Sequence, residues 1–128
     1  MALLGYMDEI VPPFVTSHEG GGKGLFSFMH YSVDKGGPND TVRRHNMRKI
    51  FETTFTTEPG ADNASYVAEY GEPCTIYRFE KMLRFLDTNL RRHGSKTSPG
   101  WLDCLDKWGS DVDWLIETFG SQFGYELK

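Results

Sequence analysis

Ile76, Phe79, Leu83, Leu86 and Leu90 recur at alternating intervals of four and three residues. That rhythm sets all five on one side of a helix. It predicts a helix from about Thr75 to His93 carrying an apolar stripe that something else must cover. Met82 and Phe85 widen the stripe. Glu80 and Arg84, and Asp87 and Arg91, are oppositely charged pairs one turn apart in the favourable order. Arg91, Arg92 and His93 suit the negative end of the helix dipole, and Gly94 supplies a stop. This helix is expected to be the most buried element.

The chain has material to cover it. It has 128 residues, and 14% of them are aromatic. A chain of that size buries roughly two-thirds of the surface it exposes when unfolded, and each buried ring removes a large area from water. One compact domain over residues 1–128 is the reading. No repeat or low-complexity segment divides it.

Around the central helix, the segments differ in chemistry. Pro12-Pro13 blocks a helix, Phe14-Val15-Thr16 is β-prone, and residues 18–24 are too glycine-rich for regular structure. Leu25 to Val33 carries apolar residues at both parities, the pattern of a strand covered on both faces. An antiparallel hairpin across the glycine loop follows. Asp40 is read as the cap of a helix over Thr41–Phe55 with Met47, Ile50, Phe51 and Phe55 inward and its arginines on the surface. Asp62 caps a short helix to Tyr70, with Gly71 closing it. Ser98-Pro99 opens another helix carrying Trp101, Leu105 and Trp108, which Gly109 ends. Ser110 then caps a further helix, with Asp111 and Asp113 in its first turn and Val112, Leu115, Ile116 and Phe119 inward. Phe123, Tyr125 and Leu127 alternate as an edge strand that could join the hairpin. The fold class is therefore α+β: a short antiparallel β-hairpin, with that C-terminal strand, packed on four to five helices.

Charge and motifs narrow the function classes. The net charge of −4 argues against attraction to phosphate over the whole surface. It is unevenly spread, with net −3 over residues 1–40, +3 over 41–96 and −4 over 97–128. Met1–Met7 is too short an apolar run for an export signal, and no run could span a bilayer, so a cytoplasmic protein is expected. Cys74 and Cys104 form no CxxC pair, and His18, His30, His45 and His93 lack metal-ligand spacing, so neither metal nor cofactor is indicated. The glycine loop has Ser17 where a Walker motif needs its first glycine and Gly24 where it needs Ser or Thr.

What remains is recognition. Trp101, Trp108 and Trp114 are the residue type that dominates interface energies, and Lys23 stands in the glycine loop. They are the candidate partner-binding residues of a small non-catalytic interaction protein, one that binds a protein partner, self-associates or serves a larger assembly. Viral and phage accessory proteins have similar composition. The alternative is a nucleic-acid-binding module that aligns Arg43, Arg44, Arg48 and Lys49 with Arg84, Arg91 and Arg92. A third reading is a small hydrolase or metal enzyme around His18, Glu19 and Cys74, the last at a helix start that would activate a thiol.

Overall fold

The computed structural model describes residues 24–55 and 64–127. Its centre is the helix that the apolar stripe predicts, here Ile76–His93. Phe79, Met82, Leu83 and Leu86 have no exposed surface at all. Thr75 is the cap: its hydroxyl oxygen accepts from the Arg78 N–H at 3.2 Å. In chain order the described helices are α1 (Leu25–Phe28), α2 (Asp40–Glu52), α3 (Ala64–Tyr70), α4 (Ile76–His93) and α5 (Pro99–Leu115). A π-helical turn (Ile116–Gly120) and a 3₁₀ turn (Ser121–Phe123) follow. The main packing is α4 against α5, with α2 closing the core through Met47, Ile50 and Phe51. No described helix is long and apolar enough to cross a membrane.

No strand occurs among the described residues, so the expected α+β fold is corrected to an all-helical one. Leu25–Phe28 makes a helical turn, and His30 takes a left-handed φ of 64° that reverses the chain. The Tyr31 N–H then bonds to the Phe26 carbonyl at 2.8 Å. Leu25, Phe26, Tyr31 and Val33 are all buried because the turn folds them onto the helices, which imitates a strand covered on both faces. Phe26 stacks on Phe85 with centroids 4.0 Å apart. Phe14–Thr16 and residues 18–23 lie outside the described residues.

The C-terminal alternation has a similar origin. Phe123 and Tyr125 both contact the Phe79 ring, at 5.5 and 5.0 Å, from the two sides of a tight turn closed by Tyr125 N–H to the Gly120 carbonyl. The Tyr125 hydroxyl donates to Glu80 at 2.5 Å. A pair of rings clamped on one ring has the spacing of a strand without being one.

Asn39, rather than Asp40, caps α2, accepting from the Val42 N–H at 2.9 Å. Gly71 follows α3 at φ +70°, and a Cβ there would stand 2.7 Å from the Tyr77 ring, so both backbone and space demand glycine. The expected break at Gly109 is absent: α5 runs through it. Trp108, Val112, Leu115 and Phe119 form one buried stripe, and packing that stripe overrides the local tendency of glycine to end a helix. A Cβ at Gly109 would meet nothing within 4 Å. Glycine inside a helix is about 0.5–1 kcal/mol worse than alanine. Gly109→Ala is therefore expected to raise the unfolding free energy by about that amount in a urea titration.

Candidate partner-binding surface

Helix α5 has two wetted flanks, and the three tryptophans divide between them. On one flank the imidazole of His93 lies between two indoles. It is 4.2 Å from Trp101 and 5.8 Å from Trp108, with planes within 23° and 18° of parallel. The Lys96 ammonium stands 4.0 Å from the Trp101 centroid. A ring at 4.2 Å and an ammonium at 4.0 Å thus both lie against the half-buried Trp101 indole. Trp108 is 8% exposed. These rings tie the start of α5 to the end of α4. The cleft beside them, about 470 Å³, is lined by Val33, Asn89, Trp101, Cys104 and Trp108 among others.

Burial, then the charges of Lys96 and Arg92, lower the His93 pKa from the ordinary 6.5. As pH falls through 6.5 the unfolded imidazole takes up a proton that the folded one resists, so stability falls with pH below that point. A thermal melt followed from about pH 7.5 to about pH 5 should show this decline, and His93→Gln should flatten it.

The other flank is a groove of about 670 Å³. Leu90 of α4 and Leu105 and Trp114 of α5 give it apolar lining, and Gly109 and Ser110 line it as well. Asp106, Asp113 and Glu117 line it too, all exposed. None of the three has an ion-pair partner among the described residues. Arg44 enters from α2 with its Nε buried and unbonded. Trp114 packs edge-on to Phe119 at 5.6 Å, with the Arg48 guanidinium 5.8 Å from its centroid.

The remaining predicted residues are distributed as follows. Lys23, His18 and Glu19 lie outside the described residues. Arg43 has no exposed surface, against the expected surface position. Its Nε and Nη2 grip Asp111 at 2.9 and 3.2 Å, and Nη2 also pairs with Asp40. Burial opposes its charge, but Asp111 and Asp40 outweigh that and raise its pKa. The Tyr31 hydroxyl donates to Asp111 at 2.6 Å, and burial and the carboxylate hold it protonated far into the alkaline range. Asp111, expected in a first helical turn, is thus a fully buried partner in mid-helix. Arg48 pairs with Glu52 at 3.6 Å and Arg91 with Asp87 at 2.9 Å. Lys49 and Arg92 are exposed and Arg84 is half-buried. Of these residues, Arg43 is thus withdrawn from any open basic face.

Cys74 is exposed at φ +60°, its N–H bonded to the Phe51 carbonyl at 2.9 Å. The Cys104 thiol is half-buried, 3.7 Å from the Val33 carbonyl. Among the described residues no three His, Cys, Asp or Glu side chains group as metal ligands. The acidic lining escaped sequence reasoning because Asp106 and Asp113 fall on opposite sides of the supposed helix break. On one continuous helix they are two turns apart on the same face.

No protein-family model, no curated protein and no solved structure matches this chain.

Proposed function

We propose that this chain is a small non-catalytic interaction protein that engages a basic segment of a protein partner through the groove along α5. The observation that carries this reading is the groove's composition: three exposed carboxylates without ion-pair partners among the described residues, in one lining with Leu90, Leu105 and Trp114. A desolvated tryptophan beside aliphatic side chains supplies affinity, and side chains of one charge supply encounter rate and partner choice. Arg44 offsets part of the charge, but three carboxylates against one guanidinium still favour a cation. On the opposite flank Trp108 is buried and Trp101 packs against His93 and Lys96, whereas Trp114 lines the same groove as the free carboxylates.

The test uses a leucine–lysine peptide as probe, titrated calorimetrically into the full chain at low salt. The wild type should bind, and Asp113→Lys with Glu117→Lys should weaken binding at least about tenfold. Both substitutions are at exposed positions, so the fold should persist. Equal binding by wild type and double variant would sink the reading.

A further inference from the structure

We infer that the occupant of the groove is a basic amphipathic α-helix of about four turns, lying along α5 and seated over Gly109 and Ser110. This rests on the reading of the groove given above and adds the partner's secondary structure, length and charge spacing.

Leu102, Asp106, Gly109 and Asp113 succeed one another at steps of four, three and four residues, which is one face of α5, and Glu117 follows in the π-helical turn. From Leu102 to Glu117 this row extends about 22 Å at about 1.5 Å per residue. Leu102 is 51% exposed, a large apolar side chain left in water one turn before Asp106. A partner covering this length could be extended or helical. An extended segment bound by strand addition needs a sheet edge, and no strand occurs among the described residues. A helix satisfies its own backbone and presents only side chains, so it suits a helical wall.

The centre of the face fits the same occupant. Helix axes approach to about 8–10 Å depending on the side chains between them, and small residues permit the closer end of that range. Gly109 weakens α5 yet makes room for nothing inside the protein, since a Cβ there would meet no atom within 4 Å. Close approach from outside is the use that the groove gives it. Asp106 and Asp113 then ask for cations two turns apart on the partner, and Glu117 for a third one turn further on.

The experiment compares two peptides of about 18 residues and identical Leu, Ala and Lys composition. One carries lysines and leucines on a helical pattern, and the other is scrambled. Each is titrated into the full chain, its Asp113→Lys/Glu117→Lys variant, Gly109→Leu and Ser110→Leu. The patterned peptide should bind about tenfold or more tighter than the scrambled one and gain helical circular dichroism. Gly109→Leu or Ser110→Leu should remove most of that advantage by filling the seat, and each variant's own helix spectrum reports that it has folded. If both peptides bind equally and charge reversal weakens both, the acidic groove stands and the helical occupant is wrong. If neither binds, both readings fall. A patterned preference indifferent to Gly109→Leu and Ser110→Leu overturns the proposed seat.

Discussion

Asp111→Ala is expected to destabilise the protein by about 3–5 kcal/mol, because it strips a buried guanidinium of its main counter-charge. Arg43 and Asp111 have no exposed surface, and Tyr31 directs its hydroxyl at the same carboxylate. Removing Asp111 leaves Arg43 with Asp40 and the Pro38 carbonyl, and leaves the Tyr31 hydroxyl without its acceptor. A loss of that size is a large part of the roughly 5–15 kcal/mol that holds an ordinary domain folded. Urea denaturation followed by circular dichroism measures it. The triple variant Tyr31→Phe, Arg43→Met, Asp111→Leu should recover most of the loss, since an apolar cluster of similar volume carries no desolvation penalty. No recovery in the triple variant would mean that the site is held by shape rather than by charge.

The second large effect is at Arg78. Its guanidinium is fully buried and pairs with no carboxylate in the described structure. It donates instead to four backbone carbonyls: Ile50 at 3.2 Å, Phe51 at 3.4 Å, Thr53 at 2.5 Å, and Gly71. The first three belong to the C-terminal end of α2, where carbonyls have no helical partner, and the fourth follows α3. Phe55 covers the guanidinium at 5.2 Å. Burial lowers the Arg78 pKa, with Cys74 and Glu72 opposing, yet arginine stays cationic at neutral pH. One side chain of α4 thus closes the ends of two other helices. Arg78→Met should cost about 3 kcal/mol or more, from several buried carbonyls left unpaired. Arg78→Lys should restore less than half, because a compact ammonium cannot span a planar fork of acceptors. Amide hydrogen exchange at Phe51 and Thr53 should quicken in both variants.

The chain's legible part is its local periodicity. The stripe of Phe79, Leu83 and Leu86 predicts α4 and its burial, and Met47, Ile50 and Phe51 predict the inward face of α2, though not its cap at Asn39. Ile76 belongs to the stripe by spacing but is 44% exposed. Local pattern misleads where a turn does the work of a strand, as at Tyr31 and Val33 and again at Phe123 and Tyr125. It misleads at Gly109 because a stripe shared by Trp108 and Val112 outweighs one glycine. It is silent on Arg43 and Asp111, which lie 68 residues apart and meet only in the folded chain. The docking groove depends on the last two of these: α5 must be continuous, and Asp111 must be drawn inside, before the acids that remain outside line it together.

The groove along α5 and the π-helical turn, bearing Asp106, Asp113, Trp114 and Glu117, is the proposed binding face. Amide chemical-shift mapping on the nitrogen-15-labelled full chain, titrated with the patterned leucine–lysine peptide, tests it most directly. The expected result is a set of saturating shifts at Leu105, Asp106, Gly109, Ser110, Asp113, Trp114 and Glu117, including the Trp114 indole N–H. Shifts confined to Lys96, Trp101 and Trp108, or none at all, would contradict it.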